Sequence, residues 1–165
     1  MKYAGWDAII VEGEAPDWTY INIVDDKIEL LDAREYCGVM SEEMDEKLRA
    51  KHGAEASVLN IGPAGEKKVL LAAIMNDKDR AAGRSGVGAV MGSKKLKAIV
   101  VKATRKKLDN IADLDALKVA AKNAMDVLKA NPVTGSGLRQ LGTAVLVNIV
   151  NNIGAFPTKN WHCLL

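Results

Sequence analysis

The chain has 165 residues, 48% of them hydrophobic and 27% charged, with a formal net charge of +2. That length and balance read as a globular chain of one domain, or one domain with an extension, and the small net charge gives no global electrostatic case for nucleic acid. No apolar run reaches 18 residues, and Met1 to Val11 carries Lys2 and Asp7 around a short apolar core, so neither a spanning helix nor a secretory signal is indicated and the cytoplasm is the expected compartment.

In chain order, Ala8 to Glu12, Tyr20 to Val24 and Lys27 to Leu31 are short β-branched-rich runs, predicted as strands of a meander, with Asp25-Asp26 turning a hairpin between the last two. Ser41 is placed to cap a helix running to Lys51. Glu42 and Glu43 in its first turn complement the helix dipole, and Gly53 ends it. Ser57 to Ile61 reads as a buried strand stopped by Gly62-Pro63, and an apolar run resumes over Val69 to Met75. Leu96 to Lys102 is a further strand.

Beyond it the pattern turns helical. Asp113 is placed to cap a helix to about Ala130, whose apolar Leu114, Leu117, Ala121, Met125 and Leu128 recur at three- and four-residue spacing and form a packing stripe. Asn131-Pro132 ends that helix. Thr143 is placed to cap a shorter helix closed by Gly154. Strands and helices do not alternate as βαβ units, so the expected class is α+β followed by helices, with residues 1–104 as an α+β unit and 105–165 as the start of a helical one.

The reactive side chains are sparse. Cys37 and Cys163 are the only cysteines, without metal-ligand spacing, and read as reduced thiols. His52 reads as a solvent-facing residue at a helix C-terminus, and the adjacent His162 and Cys163 lack the spacing of a metal site. Glu66, alone in a loop after the Gly62-Pro63 turn, reads as structural or solvated. No residue is assigned a catalytic or metal-binding role.

The densest signal lies between Asn76 and Lys97. From Arg80 through Lys107 there are nine Lys or Arg and no Asp or Glu, with Gly83, Gly86, Gly88 and Gly92 inside the first half. Glycine lets backbone approach a ligand, successive N–H groups form concave anion sites, and guanidinium adds bidentate charge-assisted bonds. Gly88 to Lys94 misses the Walker A spacing, and Gly86-x-Gly88-x-x-x-Gly92 misses the dinucleotide fingerprint, so neither a nucleoside triphosphate nor NAD is expected. On spacing alone, a tight solvated turn leading into the strand Leu96 to Lys102 accounts for the segment equally well. The patch holds no aromatic residue on which a base could stack, so nucleic-acid binding is supported by charge only.

Five ordered blocks carry a more specific signal. They are Tyr3-Ala-Gly-Trp-Asp-Ala-Ile-Ile-Val-Glu-Gly13; Asn60-Ile-Gly-Pro-Ala-Gly-Glu66 with Ala73-Ile-Met-Asn-Asp77; Arg80-Ala-Ala-Gly-Arg84 with Gly86 to Ala98; Gly142-Thr-Ala-Val-Leu-Val-Asn148; and Phe156-Pro-Thr-Lys-Asn160. Together they closely resemble the tungsten-dependent aldehyde:ferredoxin oxidoreductases. Members of that family are several times longer. The resemblance therefore implies a fragment: the second half of a duplicated α+β amino-terminal domain and the first helices of the helical region after it.

The same resemblance implies aldehyde oxidation to carboxylic acid at a tungsten bis-pyranopterin (tungstopterin), with electrons passing through a 4Fe–4S cluster to ferredoxin. The cluster ligands would lie beyond this chain. Arg80 and Ala81 would hold the pyranopterin and its phosphate, Gly83 would permit close approach, and Arg84 would add a contact. Position 85 is Ser where the family usually shows Gly. A chain so composed is expected to be inactive alone and to need the remainder of the enzyme or a partner chain. The alternatives are a non-catalytic scaffold or binding subunit of a split oxidoreductase and, more remotely, a basic nucleic-acid-binding domain.

Overall fold

A computed structural model describes residues 1–105 and 111–157. The chain divides into two compact units, Met1–Asp109 and Asn110–Leu165. The first is built on a six-stranded mixed sheet of order β2-β1-β6-β3-β4-β5. Its strands are β1 (Thr19–Val24), β2 (Lys27–Asp32), β3 (Ser57–Asn60), β4 (Ile74–Asn76), β5 (Arg80–Ala82) and β6 (Leu96–Lys102). β1 and β2 form the expected hairpin, turned at Asp25 with φ 50°. β6 then inserts beside β1, parallel to it, and pairs antiparallel with β3 on its other side.

Alternation along these strands makes two cores, one on each face of the sheet. Tyr20, Val58, Ala98 and Val100 point to one face, where Met44 and Leu48 of α1 (Ser41–His52) and Tyr36 complete a buried cluster. Ile21, Ile23, Ile61, Met91 and Leu96 form the other, with Trp6, Ile9, Val11 and Trp18 packed against it. The run Ala8 to Glu12 is therefore not a strand and the meander is not formed: Ile9 and Val11 lie across the face of the sheet, and no ladder takes up this segment. Its β-branched side chains serve packing instead.

Other expectations are corrected locally. Ser41 is the first helical residue of α1 and makes no capping bond; its carbonyl accepts from Asn60 Nδ2 at 3.2 Å. His52 does not face solvent. It is half-buried, its ring edge-on to Tyr20, whose hydroxyl lies 3.1 Å from Nε2. The glycine-rich stretch is only partly a turn, because Val87–Ser93 is helix α3. Gly88 and Gly92 there are packing residues: a Cβ on Gly92 would sit 1.9 Å from the carbonyl oxygen of Gly65 in α2 (Pro63–Glu66), and one on Gly88 would sit 2.6 Å from that of Ala73. Only glycine lets those backbones meet.

The second unit contains α4 (Leu114–Ala130), α5 (Leu138–Leu141) and α6 (Val147–Asn152). Asp113 caps α4, accepting from the N–H groups of Asp115 at 3.1 Å and Ala116 at 2.9 Å. After Asn131-Pro132 the chain takes a π turn over Val133–Gly137, and a 3₁₀ turn over Gly142–Leu146 replaces the helix start expected at Thr143. Among the described residues of this unit none is buried.

Candidate functional site

The segment that carries the cofactor signal in the sequence folds as an edge hairpin and the turn that comes after it. β4 and β5 pair antiparallel, Asn76 opposite Arg80 and Ile74 opposite Ala82, and among the described residues β5 has no other neighbour in the sheet. Its outer row of backbone N–H and C=O groups is therefore open. Arg80, Ala81, Ala82, Gly83 and Arg84 are all exposed. Gly83 has φ −99°, and nothing lies within 4 Å of the position its Cβ would take, so the surface beside it is clear.

Ser85 and Gly86 come next, with φ 70° and 68°. The first is a left-handed conformation that an L side chain adopts at a cost of about 1 kcal/mol and glycine adopts freely. Gly86 is held close to Leu70, whose carbonyl oxygen would be 2.6 Å from an added Cβ. The turn is thus pinned on its inner side and open on its outer one.

The positive run resolves into two kinds of residue. Lys95 donates to the Pro16 carbonyl at 2.8 Å and pairs with Glu14 at 3.3 Å, Lys94 reaches the Gly13 carbonyl at 3.3 Å, and Lys102 pairs with Glu55 at 2.7 Å and bonds the His52 carbonyl at 3.1 Å. Arg105 pairs with Asp26. Lys97 is fully buried and donates to the Ile61 carbonyl at 2.7 Å, the Val39 carbonyl at 3.2 Å and the Glu66 carboxylate. Among the described residues, Arg80 and Arg84 alone of this run have neither an ion-pair partner nor a side-chain hydrogen bond. Lys106 and Lys107 lie outside the described residues. In sequence the run is a block of positive charge; in the fold most of it is tied down, and among the described residues Arg80 and Arg84 flank exposed backbone without a partner.

Glu66, read from the sequence as structural or solvated, is structural in the fold: besides Lys97 it accepts from the Gly38 N–H at 3.0 Å with both oxygens. A hollow of about 610 Å³ lies elsewhere, between residues 11–19 and the β1–β2 hairpin, but its basic residues Arg34, Lys94 and Lys95 are already bonded within the chain. No group of three or more His, Cys, Asp or Glu suited to a metal ion occurs among the described residues, and His162 and Cys163 lie outside them. No helix among the described residues is long and apolar enough to cross a membrane.

The site is thus an open edge hairpin with two arginines that are unpaired among the described residues, on an α+β base. The model of the "Aldehyde ferredoxin oxidoreductase, N-terminal domain" matches residues 1–103, and that of "Aldehyde ferredoxin oxidoreductase, domains 2 & 3" matches residues 119–163. The chain belongs to the aldehyde ferredoxin oxidoreductase family. Over 163 residues it is 47% identical to the tungsten-containing aldehyde ferredoxin oxidoreductase of Thermococcus kodakarensis and 48% identical to that of Pyrococcus furiosus. It is 33% identical over 176 residues to the WOR-like subunit of an aliphatic sulfonate oxidoreductase of Pyrococcus furiosus. Each of these matches covers 98% of this chain and 27% of the relative. Among solved structures, the BamBC active-site complex of benzoyl-coenzyme A reductase, in complex with 1,5-dienoyl-coenzyme A, superposes with a TM-score of 0.72 and 36% identity, over 78% of this chain and 19% of that one.

Proposed function

We propose that this chain is the tungstopterin-binding portion of an aldehyde ferredoxin oxidoreductase, with residues 1–104 as the pterin-binding unit and 105–165 as the opening of the helical region. The observation that carries the reading is the pair of unpartnered guanidinium groups, Arg80 and Arg84, on either side of the open backbone at Ala81 and Gly83. That arrangement fits a flat, phosphate-bearing pyranopterin. Arg80 would donate to its phosphate, Ala81 would bond it through the main chain of the edge strand, Gly83 would let the ring system approach, and Arg84 would supply a second positive charge.

When bound, the tungsten–pterin group supplies the two-electron chemistry by which an aldehyde and water become a carboxylic acid, two protons and two electrons for a 4Fe–4S cluster and ferredoxin. This chain's share is binding and orientation in the cytoplasm, and none of its residues is assigned to the reacting atoms. The purified chain alone is accordingly expected to show no aldehyde oxidation with a viologen dye as acceptor.

The test of the site uses the full-length enzyme that contains this segment. Arg80→Ala and Gly83→Ala should each lower pterin and tungsten per chain while shifting the thermal midpoint little. An exposed arginine costs within about 0.5 kcal/mol of stability, against roughly 1.5–3 kcal/mol for a charged hydrogen bond to the cofactor. Lys94→Ala removes a charge from the same run and should leave cofactor content unchanged. Equal loss in Arg80→Ala and Lys94→Ala would reduce the site to a diffuse field, and no loss in Arg80→Ala would remove the assignment.

A further inference from the structure

β5 carries Arg80 and Ala81, yet it is three residues long and pairs only with β4, and β4 pairs with β3 through just two residue pairs, Leu59 with Asn76 and Asn60 with Met75. So short a ladder does not by itself fix the position of an edge hairpin. The next pair in register is Val58 with Asp77, and it is completed in an unusual way. The Asp77 N–H donates to the Val58 carbonyl at 2.9 Å, but the chain turns at Asp77 with φ 46° and at Lys78 with φ 67°. The N–H of buried Val58 is taken instead by the Asp77 carboxylate, at 3.0 Å.

That carboxylate is a hub. It accepts from Arg49 Nη2 at 2.7 Å, from Asn76 Nδ2 at 2.7 Å and from Ser57 Oγ at 3.5 Å. Arg49 is itself fixed at the end of α1. Its Nε donates at 2.7 Å to Asp45, whose side chain is fully buried, and its Nη1 donates to the Ala54 carbonyl at 2.9 Å. A chain of charge-assisted bonds thus runs from the interior of α1 to the turn three residues before Arg80.

We propose that Arg49 and Asp77 are positioning residues for the cofactor-binding turn, locking the β4–β5 hairpin to α1 and β3 so that Arg80 and the Ala81 backbone are held ready for an anionic cofactor. This rests on the assignment of that turn as a cofactor site. Neither residue touches the cofactor. Their effect is preorganisation: the edge strand is set before the ligand arrives, and the ligand need not supply the ordering.

The experiment uses the full-length enzyme carrying this segment, in cofactor-loaded and cofactor-free forms, with three readouts: pterin released per chain, hydrogen exchange at the amides of Arg80, Ala81 and Ala82, and thermal midpoint. Asp77→Ala is expected to weaken pterin retention about tenfold, the scale on which displaced positioning groups act. It should also accelerate amide exchange in the cofactor-free hairpin. Arg49→Met should do the same, with Arg49→Lys recovering part of both effects. Ile23→Ala, on β1 with β6 between it and the β3–β4–β5 strands, is the stability control and should lower the midpoint while leaving exchange at Arg80 to Ala82 and pterin content as in the parent.

If Ile23→Ala loses as much pterin as Asp77→Ala for an equal fall in midpoint, Asp77 acts through stability alone and the proposal is overturned. If Asp77→Ala keeps its pterin while Arg80→Ala loses it, the positioning role is wrong and the cofactor assignment stands. If Arg80→Ala also keeps it, both fall.

Discussion

The two units of this chain, the first built on a six-stranded sheet and the second on helices and turns, differ in what their apolar residues meet. In the first, Tyr20, Ile23, Met44, Leu48, Val58 and Val100 are sealed between a sheet and the elements on its two faces. In the second, Leu114, Leu117, Met125 and Leu128 form the stripe expected of a packing surface, and each is about half exposed. An amphipathic pattern with a good N-cap is enough to specify α4 as a helix; it does not supply the surface that the stripe would pack upon. Helical stability in proteins comes mostly from tertiary burial, so the first unit should carry the cooperative unfolding of this chain.

The largest expected effect tests that contrast directly. Leu48→Ala should cost about 2–5 kcal/mol in urea unfolding, because it deletes a fully enclosed side chain, whereas Leu117→Ala should cost about 0.5 kcal/mol or less. Equal costs would mean that α4 is covered in solution and would break the comparison. Next comes Gly92→Ala, expected to cost roughly 1–3 kcal/mol or more because its methyl would meet the Gly65 carbonyl; Gly83→Ala, with nothing within 4 Å, should leave the unfolding midpoint nearly in place. Within the second unit, Asp113→Ala should remove about 1 kcal/mol of helix stability, read as reduced ellipticity at 222 nm without a shift in the main transition.

A pH scan sharpens the contrast further. Burial, reinforced by the charges of Lys51 and Lys102, holds the His52 imidazole below its ordinary value of 6.5. The folded state therefore takes up this proton less readily than the unfolded one. Stability is present above the ordinary value and is lost as pH falls from there towards the depressed folded value, with a slope of at most about 1.4 kcal/mol per pH unit. The main transition should weaken as pH falls below about 6.5, and His52→Gln should flatten that part of the dependence. The smallest effect is a gain. Ser85→Gly relieves a left-handed serine and should raise the midpoint of the first unit by the equivalent of about 1 kcal/mol or less.

What the sequence disclosed depends on the reach of its signals. β1, β2, β3 and β6 are apolar or β-branched-rich runs of four or more residues, and α1 and α4 carry charged first turns and breakers, so local pattern sufficed for them. β4 and β5 have three residues each, too few for a period, and the apolar run read over Val69 to Met75 overlaps only β4. α3 was hidden because Gly88 and Gly92 oppose helix by propensity and are required by contacts with Gly65 and Ala73, distant in sequence. Residues 8–12 show the reverse failure, a strand-like run for which the finished sheet has no place. At the candidate site the residue types were legible in Arg80 to Arg84. Which charges remained free was not, since that depends on where Glu14, Glu55, Glu66 and Asp26 come to lie.

The position of β6 has a consequence for how the chain must come together in time. It is the last strand of the first unit to be synthesised and stands between β1 and β3, to both of which it is paired. Before Lys102 has emerged from the ribosome, the β1–β2 hairpin and the β3–β4–β5 ribbon are separate pieces with naked inner edges. Pairing partners so far apart in sequence close late and slowly, and open edges are where nascent chains stick to one another. The central strand thus acts as a gate on biogenesis, and a pause in translation before it would prolong the interval in which those edges stay open.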